Sequence, residues 1–216
     1  MTKNRSMNQV VYMNRGPLLE EIRTLLHAPM PHRERAFLRG LYETTYRANE
    51  LLQCNIEDFN RETGEIIARY PKRKYNPKSG ETITETPKHM FLSDTGINLF
   101  RKIIGNRKKG AIFINEKGER ISLRYLQKYI HKLATALGIQ KVTHVTITGK
   151  KYHLMTLKSL REAGERHHDE RGGDSDLSAR AAQHSLLIKD RYYKKTGAEE
   201  IKMSFKKHHP AFTGEI

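Results

Sequence analysis

The chain holds one cysteine, Cys54, so it can form neither an internal disulfide nor a cysteine-built zinc cluster, and a reducing compartment or indifference to redox is expected. No stretch approaches the ~18 uninterrupted apolar residues of a membrane span, and Met1 to Arg15 is polar with no apolar signal core. Secretion and membrane insertion are therefore not expected, and the cytoplasm is. No repeat of fixed period and no low-complexity segment is visible. The string from Gly105 to Gly110 lacks the lysine and hydroxyl of a phosphate-binding loop, which removes the usual sign of ATP dependence.

What the chain has in excess is positive charge. Across 216 residues, 40 Lys plus Arg against 24 Asp plus Glu gives 40 − 24 = +16. Enough of the sequence is hydrophobic, 37%, to bury a core, so the excess belongs to a folded basic domain rather than to a disordered chain. Bases and acids are interspersed, unlike a polybasic membrane anchor, and this puts nucleic acid ahead of acidic lipid as the partner.

The pattern of apolar residues predicts mostly helix. Leu18, Leu19, Ile22, Leu25 and Leu26 follow Gly16-Pro17 at helical spacing, and further helices are expected over 31–46, 50–56 and 94–104. Ser122 caps a helix with Leu123, Leu126, Ile130, Leu133 and Leu137 on one face, ended by Gly138. Strands are expected over 65–70, 88–92 and 111–115, the first two forming a hairpin with a long cationic tip. A helix over 150–163 stopped by Gly164, an exposed charged loop over 165–174, and short helices over 177–184 and 188–195 complete the reading. The expected class is α+β, mainly helical, with a small three-stranded antiparallel sheet. Its parts are an extension over 1–16, a domain over 17–196 and a basic tail over 197–216.

Five strings, Glu43 to Leu52, Ile66 to Lys72, Lys88 to Asp94, Lys150 to Gly164, and His184 with Tyr193, together resemble the catalytic domain of the tyrosine recombinases, the phage integrase and Xer class. Glu43-Thr44-Thr45-Tyr46-Arg47-Ala48-Asn49-Glu50-Leu51-Leu52 is similar to the family's first box, in which an arginine precedes a Glu-Leu pair. Ile66 to Pro71 followed by Lys72 resembles the strand that runs into the family's hairpin lysine, and Lys88 to Asp94 resembles the returning strand. Lys150, Lys151, Tyr152 and His153, ahead of Leu160-Arg161-Glu162-Ala163-Gly164, resemble the box that carries a His or Lys, two residues and an arginine. Tyr193 follows His184 by nine residues, as the family nucleophile follows its last His or Trp. The likeness covers roughly residues 17 to 196 and lacks the separate DNA-clamping domain of most members.

The resemblance implies a site-specific recombinase or integrase that cuts and rejoins duplex DNA through a 3′-phosphotyrosyl intermediate, with no metal or cofactor. Tetramers on two duplexes are implied, with residues 197–216 as the segment exchanged between subunits. Arg47, Lys150, His153 and His184 would bind and polarise the phosphate. Lys72 would be the acid, ahead of Lys74 and then Lys88, and Tyr193 rather than Tyr192 the nucleophile. The physical requirement is plain: an anionic diester repels nucleophiles, so attack needs cationic donors on the phosphate and an acid for the leaving oxygen. One position departs from the family, since His153 stands where the second arginine is expected and a neutral imidazole cannot make a bidentate fork. Three outcomes follow: His153 is protonated beside the phosphate, another arginine such as Arg161 or Arg180 takes the place, or the chain binds DNA and cleaves it poorly. Two histidine pairs, His167-His168 and His208-His209, are weak as metal sites because adjacent ligands in a flexible loop rarely close a coordination sphere.

Overall fold

Every residue from Ala36 to Tyr46 is buried, which no helix with a solvent-facing side could achieve. This stretch forms the axis around which the rest of the chain packs. The computed structural model describes residues 16–69, 73–75, 82–84, 87–175 and 198–216. Its elements in chain order are α1 (Leu19–His27), α2 (His32–Thr44), α3 (Ala48–Gln53), a 3-10 turn (Ile56–Asp58), β1 (Glu65–Ala68), β2 (Arg73–Tyr75), β3 (Thr82–Thr84), β4 (Lys88–Phe91), α4 (Asp94–Ile104), α5 (Leu123–Ala136), β5 (Val142–Val145), β6 (Lys151–His153), α6 (Leu157–Glu170) and α7 (Ala198–His208). The class is α+β and mainly helical. Helices α4 and α6 both lie against α2.

Burying α2 all round puts charge into the core, and each charge is met. Arg39 donates to Glu43 at 2.6 Å, and the Glu43 carboxylate also accepts from the Ser93 main-chain N–H at 2.9 Å and the Ser93 hydroxyl at 2.7 Å. Ser93 in turn caps α4 by accepting from Gly96 at 3.2 Å, so one buried carboxylate ties α2 to the start of α4. Phe37, Phe100 and Phe113 fill the space beside it in edge-to-face pairs with centroids 5.1 and 5.5 Å apart.

The strand content is spread over three antiparallel pairs, β1–β4, β2–β3 and β5–β6, rather than gathered in one three-stranded sheet. The segment expected to supply the third strand, 111–115, makes only single bridges, Asn55 with Ala111 and Ile114 with Arg120. Strands β1 and β4 pair in the register Glu65 with Phe91 through Ala68 with Lys88, as the expected hairpin requires. Strands β2 and β3 form an antiparallel pair of their own, in the register Arg73 with Thr84 through Tyr75 with Thr82.

The largest departure from expectation lies between 141 and 174. The helix expected over 150–163 begins only at Leu157, because Thr156 caps it, accepting from Ser159 N–H at 3.0 Å, and the run before it pairs as β5–β6. It also continues through Gly164 to Glu170, so the expected charged loop over 165–174 is for most of its length the second half of a helix. Its charges are laid out as i, i+4 pairs: Lys158–Glu162 at 3.4 Å, Arg161–Glu165 at 3.0 Å and Arg166–Glu170 at 3.2 Å. Gly164 is there for close approach rather than as a stop, since a Cβ at that position would stand 2.1 Å from the Tyr42 carbonyl oxygen.

The C-terminal segment packs on its own chain. Phe205, His209 and Ala211 are buried, Arg39 donates to the main-chain oxygen of Ile216 at 2.8 Å, and Arg171 pairs with Glu215. Histidines build this seam: His168 stacks on Phe205 at 4.4 Å, Phe205 on His209 at 5.3 Å, and His209 meets Tyr42 at 4.8 Å. His167 meets the Tyr42 hydroxyl at 2.9 Å. The two pairs weighed as metal ligands are thus mostly packing groups. Among the described residues no helix is long and apolar enough to cross a membrane. The expected helices over 177–184 and 188–195 lie outside the described residues.

Two outcomes test this packing. Gly164→Ala is expected to lose more than about 2 kcal/mol in urea unfolding, because a backbone oxygen cannot yield as a side chain can. Burial depresses the His167 pKa to about 4 and that of His209 well below the histidine value. With the folded values below the unfolded value of about 6.5, the unfolded chain takes up protons first on acidification. Stability should be full above about pH 6.5 and fall as the pH drops toward about 4, and the double variant His167→Gln/His209→Phe should flatten that dependence in thermal melts.

Candidate active site

The corner that leaves α2 is strained and fully buried. Thr45 has φ 52° and ψ 18°, and among the described residues no other non-glycine residue has a positive φ. Such a residue costs about 1–2 kcal/mol and persists only where its surroundings hold it. Here the Thr45 carbonyl accepts from Arg161 Nε at 2.5 Å, which brings α6 to the corner. The next residue, Tyr46, is buried with its hydroxyl 2.8 Å from the Ile66 carbonyl and 2.6 Å from the Lys88 carbonyl, bridging β1 and β4. Arg47 then opens α3.

Glu50, three residues on, sits where a helix's third residue can reach back to its cap. Its carboxylate accepts from the Arg47 main-chain N–H at 2.8 Å and from the Arg47 guanidinium at 2.7 Å. It also accepts from Lys88 Nζ at 2.9 and 3.1 Å. The Lys88 ammonium is near enough to Arg47 and Arg161 to be repelled by both. One carboxylate therefore ties α3 to β4, and Arg161 of α6, held by the Thr45 carbonyl, lies close enough to act on the same Lys88. The side chain of Arg47 is 36% exposed, against 2% for Lys88 and 8% for Arg161, so the cluster opens to solvent at Arg47.

Burial alone would raise the Glu50 pKa, but Lys88 and Arg47 outweigh it and hold the carboxyl below its usual range, so it stays ionised. Burial pulls Lys88 below the usual lysine value, and Glu50 only partly restores it. Arg161 is also held by Glu165 at 3.0 Å. The arrangement offers an external anion a forked guanidinium at its mouth, backed by fixed positive charge.

Of the residues expected from sequence, Arg47 lies in this cluster, and Lys88, ranked third as the acid, lies there too. Arg161, weighed only as a substitute, touches the same corner. Lys150 and His153 are carried on the β5–β6 ribbon. His153 faces His131 of α5 with ring centroids 4.7 Å apart, and Lys150 Nζ stands 5.1 Å from the centre of the Tyr152 ring. Burial, then His131 and Lys151, lower the His153 pKa, so its imidazole is neutral near pH 7. Lys72, His184, Tyr192, Tyr193 and Arg180 lie outside the described residues, as does the Lys74 side chain. Sequence reasoning undervalued Glu50 and Arg161. The spacing Thr156-x-x-Ser159 ahead of Leu160-Arg161 was the available signal, since a cap there sets Arg161 on the second turn of α6.

The sequence profile of the Phage integrase family matches residues 17–163, which include Arg47, Glu50, Lys88 and Arg161. The chain belongs to the phage integrase family. A tyrosine recombinase XerD of Oceanobacillus iheyensis is 23% identical over 213 residues, covering 96% of this chain and 64% of that protein. The crystal structure of XerA recombinase superposes with a TM-score of 0.64 at 16% identity, over 90% of this chain and 65% of that one. XerH site-specific recombinase bound to difH substrate superposes with a TM-score of 0.56 at 20% identity, over 90% of this chain and 54% of that one. The chain thus spans less than two thirds of these relatives. At such identities the structural matches establish the fold, and this integrase-family chain has the α+β fold of those recombinases.

The Glu50 hub gives a direct test. Glu50→Ala leaves Lys88 buried without its counter-charge and should cost roughly 3–5 kcal/mol in urea unfolding. Adding Lys88→Met to it should recover much of that loss, a coupling that two independent sites would not show.

Proposed function

We propose that this chain is the catalytic part of a metal-independent, site-specific DNA recombinase that cleaves and rejoins duplex DNA through a 3′-phosphotyrosyl intermediate. The observation that carries this reading is the cluster of Arg47, Lys88 and Arg161 around Glu50 and the Thr45 carbonyl, in a chain of the phage integrase family. The fold neighbour XerH is described with its difH substrate, which favours duplex DNA as the partner here.

In the proposed reaction the Tyr193 phenol oxygen attacks the scissile phosphorus. A P–O bond to tyrosine forms, the bond to the 5′ oxygen breaks, and the phenol proton passes to solvent. Arg47, Arg161 and His184 bind and polarise the phosphate, and Lys72 donates the proton that the 5′ oxygen needs to leave. Lys88 is a positioning residue that fixes Glu50 and, through it, Arg47. The bond energy is kept in the phosphotyrosine, so rejoining needs no nucleotide. The impaired-enzyme alternative rested on His153 in place of the second arginine. Arg161 provides a guanidinium at the Thr45 corner, and this favours a competent enzyme. Work on two duplexes as a tetramer in the cytoplasm completes the reading, with 197–216 as the segment for exchange between copies.

A nicked suicide duplex carrying the chain's target site should trap an SDS-stable adduct with the unaltered protein. Tyr193→Phe should abolish it, and Arg47→Ala or Arg161→Lys should slow its formation by about a hundredfold or more. An adduct that survives Tyr193→Phe would refute the nucleophile. A rate that depends on His153 but not on Arg161 would refute the assignment of the second arginine.

A further inference from the structure

We infer that Glu165 is a positioning residue for cleavage, its carboxylate setting the direction in which the Arg161 guanidinium faces. The inference rests on the proposed reading of Arg161 as a ligand of the scissile phosphate, and adds to it the group that aims that ligand. Helix α6 carries i, i+4 ion pairs of two kinds. Lys158–Glu162 and Arg166–Glu170 reach into solvent, every one of their side chains being 33% exposed or more. The Arg161–Glu165 pair is buried, with side chains only 8% and 14% exposed. Exposed pairs at this spacing give a helix modest support. A buried pair often adds nothing over apolar residues of the same size, because both ions give up their water. Helix support therefore does not account for the interior pair, and its geometry points to placement of the guanidinium.

The Arg161 fork is gripped at two separate atoms. Nε donates to the Thr45 carbonyl at 2.5 Å, and Nη2 stands 3.0 Å from Glu165 Oε1. A planar group held at one atom turns about that contact, whereas two contacts on one plane fix where the fork faces. The grips come from different parts of the fold. Thr45 belongs to the left-handed corner that leads into Arg47, so it sets the distance between the two arginines. Glu165 lies one turn further along α6 and sets the angle. It also supplies charge where Glu50 is already committed. Glu50 serves Arg47 and Lys88, while Lys88 and Arg161 repel one another. A carboxylate on the α6 side offsets that repulsion and lets the Arg161 guanidinium stay at the corner before any phosphate arrives. Such preorganisation leaves less to be reorganised in the transition state.

The rate of adduct formation on the nicked suicide duplex, measured in single turnover at saturating protein, tests this. Glu165→Gln keeps the size of the side chain and an acceptor oxygen but removes the charge, and it should slow the saturating rate by roughly tenfold to a hundredfold. Its half-saturating protein concentration should stay unchanged, since Arg161 is aimed for the reaction rather than for capture of the duplex. The deciding comparison is made in the Arg161→Lys background, where there is no fork to aim and Glu165→Gln should change the rate by less than about twofold. A loss of folding would slow both backgrounds by the same factor, so equal slowing in the two overturns the inference, as does a Glu165→Gln rate equal to that of the unaltered protein. In either case the proposed function stands. If the unaltered chain forms no adduct, both fail.

Discussion

The cluster depends on one carboxylate. Glu50 caps α3, holds the Arg47 guanidinium and neutralises Lys88 in the interior, so helix start, ion pair and strand position are a single interaction. Without it a buried ammonium would face two guanidinium groups with no compensating charge, an arrangement that folding would resolve by moving one of them. The strained Thr45 supports the same geometry from the other side, because its left-handed conformation goes with a carbonyl that receives Arg161.

A helix buried all round makes this possible. Because α2 lies inside the fold, elements far apart in sequence reach its C-terminal corner together: β4 through Tyr46, α6 through Arg161, and the C-terminal seam through Tyr42. That seam is built largely of stacked and packed histidines, and burial lowers the pKa of two of them, His167 and His209. The stability of the tail's docking is thereby tied to pH through groups that take no part in the cluster itself.

Much of this was legible in the sequence. The apolar spacing of Leu19 to Leu26 and of Leu123 to Leu137, with the cap Ser122, gave α1 and α5, and the helix expected over 94–104 is α4 at its observed limits. Arg47 and the β1–β4 hairpin were readable because each rests on a local string. What failed was long-range. Gly164 reads as a stop and is a contact glycine, since the carbonyl it must clear belongs to Tyr42. The charges over 165–170 read as a loop and are a helix, because its buried residues, His167 and His168, are not apolar by type. The helix expected from Lys150 begins at Leu157, which puts Arg161 on its second turn and leaves Lys150 and His153 on the ribbon before it.

The claim that matters most is that Arg47 and Arg161 bind one and the same phosphate. Crystals of the full chain soaked in tungstate, a tetrahedral oxyanion located by its anomalous scattering, measure this directly. A shared site predicts one strong peak about 4 Å from both guanidinium groups, which places the ion's oxygens within hydrogen-bond distance of each. Peaks confined to exposed lysines, or two arginines each holding a separate ion, would contradict it.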